Sequence, residues 1–141
     1  MTIEKIFASA FQNHQKNNLE VAENLYKEIL KKNPNHFQSN FLLGTLSAQT
    51  KKFDIAKQLL NKATKIDPNY AQAHNNLGKV FQELKESQKA ISCYEKAIQI
   101  NPNYVQAHNN LGLTFKELQE YQKAISCYEK AIQIDPNYAD A

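Results

Sequence analysis

Four prolines stand at Pro34, Pro68, Pro102 and Pro136, each 34 residues beyond the last. The glycines, Gly44, Gly78 and Gly112, keep the same step, as do Cys93 and Cys127. Residues 71–104 and 105–138 are identical at 27 of 34 positions. Self-similarity at a fixed step of this length means one structural unit used repeatedly, and no other feature restricts the fold as strongly. The units are 3–36, 37–70, 71–104 and 105–138, with residues 139–141 repeating the opening of a further one.

Each unit reads as two helices. In residues 71–104 the first carries an apolar stripe at Ala73, Leu77, Val80, Phe81 and Leu84, the spacing of one helix face. A break is expected near Lys85-Glu86-Ser87. The second helix runs through Ala90, Ile91, Tyr94, Ala97 and Ile98 and stops before Asn101-Pro102-Asn103, because proline restrains the residue before it and cannot continue a helix. Two short helices cannot bury both stripes alone, whereas stacked neighbours bury them continuously. Small residues recur where backbones must approach: the three glycines in first helices, and Ala22, Ala56, Ala90 and Ala124 in second helices. The expected fold is all-α, eight helices in one domain over 1–141.

Composition narrows the function. The 17 basic residues are all Lys and face 14 acids, and without Arg the planar forks favoured for phosphate and guanine recognition are missing. Nucleic-acid binding is not expected. No apolar run is long enough to span a membrane. Glu4 and Lys5 interrupt the N-terminus where a signal peptide needs an apolar stretch, so a cytoplasmic location is expected. Two cysteines cannot make a disulfide framework. Cys93 and Cys127 occupy equivalent places of neighbouring units, where Leu25 and Leu59 stand earlier; packing roles are expected for both. The histidines form no ligand cluster and the glycines no phosphate loop. Neither metal, cofactor nor catalysis is expected.

The residues at fixed places resemble the tetratricopeptide repeat. In the third unit the family pattern is met by His74, Leu77-Gly78, Phe81, Ala90, Tyr94, Ala97 and Pro102; in the fourth by His108, Leu111-Gly112, Phe115, Ala124, Tyr128, Ala131 and Pro136. The second unit keeps Leu43-Gly44, Ala56, Ala63 and Pro68 but has Asn40, Ser47 and Leu60 where aromatics stand in the family. The first keeps Ala22, Tyr26 and Pro34, with Ser9-Ala10 replacing Leu-Gly. The resemblance implies a right-handed α-solenoid of four helix-turn-helix repeats whose first helices line a concave groove. That groove implies a protein or peptide partner.

On that likeness, the second, fifth, sixth, ninth, twelfth and thirteenth places of each unit face the groove. The chain is rich in amides, 16 Asn and 13 Gln, and some fall in this register. Asn75, Asn76, Asn109 and Asn110 form a candidate ladder for the backbone of an extended peptide, since each amide offers donors and an acceptor. The third and fourth repeats are similar here to those of O-linked N-acetylglucosamine transferase. Phe7, Phe11, Phe41 and Leu42 supply an apolar half, and Thr45, Lys79 and Leu113 complete the candidate peptide site. The clamp that grips C-terminal carboxylates in some relatives is not expected, because Phe7 and Phe11 stand at its places. The alternatives are a substrate-presenting segment of a larger glycosyltransferase-like or sulfotransferase-like enzyme, and a self-associating array. Tyr128 and Ile132 leave an uncapped C-terminal repeat, so either a longer chain or end-to-end self-association is expected.

Overall fold

The computed structural model describes residues 1–137; the expected start of a further repeat at 139–141 lies outside the described residues. Among the described residues there are eight helices and no strand: α1 (Ile3–Gln15), α2 (Leu19–Lys32), α3 (Phe37–Gln49), α4 (Phe53–Ile66), α5 (Ala71–Glu83), α6 (Ser87–Ile100), α7 (Val105–Glu117) and α8 (Tyr121–Ile134). First helices all begin at the first residue of a unit, so the 34-residue step locates the helices as well as the repeats.

Two kinds of turn enforce this. Between the helices of one unit a single residue takes the left-handed conformation: Asn17, Lys51, Lys85 or Gln119, with φ of 62 to 65°. That conformation closes the preceding helix. The amide of Asn18 donates to Asn13 O and that of Asn17 to His14 O, and the same pair recurs at Glu86 to Phe81 and Lys85 to Gln82. These bonds satisfy carbonyls that a helix end otherwise leaves open. Between units the residue before each proline is extended, with φ of −143° at Asn33 and −132° at Asn101. Their side-chain oxygens accept from the amides of Asn35 and Asn103, at 3.1 and 3.2 Å, the Asx turn that short polar side chains favour.

The chain forms two compact units, the first Met1–Pro68 and the second from Asn69 onward. In the first, α1 packs on α2, α2 on α3 and α3 on α4. Its core is built from Ala10, Ala22, Tyr26, Leu43 and Leu46, with Phe7, Leu19, Leu25, Leu30, Leu42 and Leu59 against it. In the second, α6 packs on both α5 and α7, α7 on α8, and α5 also meets α7. The small residues do what their spacing implies. Ala22, Ala56, Ala90 and Ala124 are all buried. A β-carbon at Gly78 would stand 2.6 Å from Tyr94 Cε1, one at Gly112 2.7 Å from Tyr128 Cε1, and one at Gly44 2.8 Å from Leu60 Cγ.

The family aromatic is replaced at the fourth place by polar residues that tie first helices to the turns. Asn40 Nδ2 donates to Pro34 O at 3.0 Å, and buried His108 pairs through Nε2 with Pro102 O at 2.8 Å. These side chains anchor the proline turn by hydrogen bonding rather than by ring packing.

Candidate functional site

The fifth, sixth and ninth places of the first helices carry the sequence-predicted site, and each unit holds its own part. In the second unit, Asn75 on α5 and Asn109 on α7 are buried, while Asn76 and Asn110 are half-buried and Lys79 and Leu113 are exposed. The fifth place therefore points into the structure rather than onto the groove wall. Asn110 Nδ2 donates to Asn75 Oδ1 at 3.1 Å, joining α7 to α5. Asn75 also hydrogen-bonds Tyr104, whose phenol is nevertheless pushed above its ordinary value by burial. So part of the asparagine ladder holds repeats in register. Asn110 keeps one amide hydrogen and its carbonyl beyond that bond.

In the first unit, Phe7 is half-buried. Its ring lies 6.2 Å from Tyr26 and 5.5 Å from His36, and it stacks on Phe11 at 6.1 Å. Phe7 thus packs against the core of this unit, in the repeat (3–36) that lacks the Leu-Gly pair. Phe11 stays exposed beside it. Phe41 is buried and stacks on Phe37 at 6.0 Å. Leu42 packs against the core of the unit, and the Thr45 hydroxyl donates back to Phe41 O at 2.9 Å. Of the apolar residues expected on this face, Phe11 and part of Leu42 are open.

A second network escaped the sequence-based assignment of His14 and Gln82 to the groove. Tyr94 donates through its hydroxyl to Gln82 Oε1 at 2.7 Å, and Gln82 Nε2 donates to Glu117 Oε1 at 3.1 Å. In the first unit the same places hold Tyr26, His14 and Gln49, at 3.1 Å on each side of the imidazole. The chain of bonds links the second helix of one repeat, its first helix and the first helix of the next. Burial pushes the Tyr26 phenol up to about 12 and that of Tyr94 higher still. The signal was present as a buried tyrosine at the twenty-fourth place facing a polar residue at the twelfth.

The cysteines are free. Burial pushes the Cys93 thiol up to about 11 and raises that of Cys127, the opposite of what a reactive thiolate requires. Among the described residues no group of three or more His, Cys, Asp or Glu is placed to hold a metal ion. No helix among them is long and apolar enough to cross a membrane.

Models of the tetratricopeptide repeat match residues 71–104 and 105–138, and a TPR repeat model matches 48–85. No curated protein matches. Solved structures of MamA are similar. One is 31% identical, covering 92% of this chain and 75% of its own with a TM-score of 0.88. Another is 29% identical, covering 96% and 74% with a TM-score of 0.91. MamA 41-end from Desulfovibrio magneticus RS-1, 20% identical with a TM-score of 0.92 over 98% and 78%, shares the fold. Eight helices in 34-residue pairs, glycines against tyrosines and family models spanning residues 48–138 agree: the chain belongs to the tetratricopeptide repeat family.

Proposed function

We propose that the chain is a protein-interaction module that holds an extended segment of a partner protein along its first-helix faces. The observation that carries this is the Asn110 side chain, with one amide hydrogen spent on Asn75 and no further partner for its remaining donor and acceptor among the described residues. It stands on the helix that also exposes Leu113, and Lys79 is exposed at the equivalent place of α5. A side-chain amide that donates and accepts side by side matches the peptide unit of an extended chain whatever its sequence. Leu113 adds apolar contact and Lys79 adds a preference for acidic segments. In the first unit Phe11 offers an apolar anchor. The tetratricopeptide repeat fold, generally an interaction module, supports this reading.

The test uses peptides selected on the purified chain from a random phage-displayed library. Asn110→Ala combined with Asn76→Ala should weaken the selected peptides about tenfold, the worth of one or two hydrogen bonds. Leu113→Glu, at an exposed site, should weaken them with the helical circular dichroism unchanged. Unaltered affinity in both variants refutes the proposal.

A further inference from the structure

Within the second unit, a recess of about 460 Å³ lies between the start of α5 and residues 101–106. Tyr70 and Tyr104, which hold the same place of successive repeats, stand in its wall with Gln72, Gln106, Asn101 and Asn103. The residues that line it carry no charge. Most of its acceptors are already in use. The Tyr70 carbonyl accepts from the Ala73 amide, that of Asn101 from the Tyr104 amide, and that of Tyr104 from the amides of Ala107 and His108. Gln72 Oε1 accepts from the Tyr70 hydroxyl at 3.4 Å, and Asn101 Oδ1 from the Asn103 amide at 3.2 Å. The Tyr104 hydroxyl stands differently. Asn75 Oδ1 is taken by Asn110, and the bond from Asn75 works against burial in holding the Tyr104 phenol down, as donation to its oxygen does. Asn75 Nδ2 is thus the donor, and the Tyr104 hydrogen is left for an acceptor from outside the described residues.

We infer that this recess takes a proline-rich stretch of the partner segment, with the Tyr104 hydroxyl donating to one of its carbonyls and proline rings laid on Tyr70 and Tyr104. The inference rests on the reading that the first-helix faces hold an extended segment, and it states what that segment contains. The bonds from Asn110 through Asn75 to Tyr104 join the recess to that face. A wall that donates and has few acceptors to spare fits a ligand that accepts without donating. Proline is the residue of that kind, since it has a carbonyl and no N–H. In the polyproline II conformation its carbonyls have no internal partners, and such segments dock on aromatic-lined grooves with little ordering cost. Two other acceptors fit less well. A carboxylate finds no cation in the wall. A sugar hydroxyl donates as well as accepts, and the wall has little to receive its hydrogen. Gln72 and Gln106, both exposed at the rim, bring amide hydrogens for further carbonyls.

Fluorescein-labelled decaproline titrated into the full chain and followed by anisotropy tests this. Saturable binding is expected, and unlabelled decaproline should shift the backbone amides of Gln72, Tyr104 and Gln106. Tyr104→Phe keeps the ring and removes one hydrogen bond, so affinity should fall about fivefold. Tyr70→Ala removes a ring face and should weaken binding with the helical circular dichroism unchanged. Tyr121→Phe, at an exposed tyrosine on α8, should leave binding unaltered. Decaproline binding that Tyr104→Phe does not weaken, or that Tyr121→Phe weakens equally, overturns the inference. So does decaglutamate or maltohexaose shifting the same amides where decaproline does not. If decaproline fails while library-selected peptides still depend on Asn110 and Leu113, the inference falls and the broader reading stands. If those peptides are indifferent to both residues as well, both fall.

Discussion

Replacing Tyr94 with alanine should lower the unfolding free energy by about 3–5 kcal/mol, the usual cost of deleting a large buried aromatic side chain. Tyr94 is fully buried on α6, its ring passes over Gly78 and its hydroxyl donates to Gln82. Losing it opens a cavity between α5 and α6 and cuts the bond that continues through Gln82 to Glu117 on α7. Since the whole stability of a domain is only about 5–15 kcal/mol, urea denaturation should detect the change readily. Repeats support one another through nearest-neighbour contacts, so the second unit should melt ahead of the first in this variant. Tyr94→Phe separates the two contributions. It keeps the ring and loses the hydroxyl, and about 1 kcal/mol is expected. Equal losses in the two variants would mean that the ring contributes little packing.

The second large effect is a contrast between identical substitutions at equivalent glycines. Gly78→Ala places a methyl group 2.6 Å from the Tyr94 ring, which is fully buried and tethered by its hydroxyl. Overpacking of that kind costs about 1–3 kcal/mol and outweighs the 1 kcal/mol or so that alanine gains over glycine inside a helix. Gly112→Ala meets Tyr128 at 2.7 Å, but that ring is only half-buried on the outer helix and can swing outward. There the helix-propensity gain offsets the strain, and a change near zero is expected. Denaturation midpoints of the two single variants decide the matter. A Gly112→Ala loss as large as that of Gly78→Ala would show that the glycines are required by backbone approach rather than by the tyrosine ring.

The architecture was legible because one period wrote it four times. Proline marked every repeat boundary, and the break near Lys85 matched the left-handed residue that joins α5 to α6. The candidate site was less legible, and the reason is geometric. The sixth and ninth places are half-buried or exposed in every repeat. The fifth place turns inward at Asn75, Asn109 and Phe41, which are buried, and Asn75 there meets Asn110 of α7. Sequence spacing within a helix cannot fix which flank a neighbouring helix covers; that depends on how helices cross. Phe7 illustrates a different limit. Its packing on Tyr26 and His36 answers a local deficit of the divergent first unit, which no alignment of the later repeats displays. The bond between Asn110 and Asn75 across repeats gives these amides a structural duty that spacing alone does not display.

Backbone amide chemical-shift mapping, with the peptides selected from the random library titrated into the full chain, shows whether the first-helix faces hold the partner segment. The expected shifts concentrate on α5 and α7 around Asn76, Lys79, Asn110 and Leu113, with a second group around Phe11. Shifts confined to the exposed faces of the second helices, around Lys96 on α6 or Lys130 on α8, with the first helices silent, would contradict it.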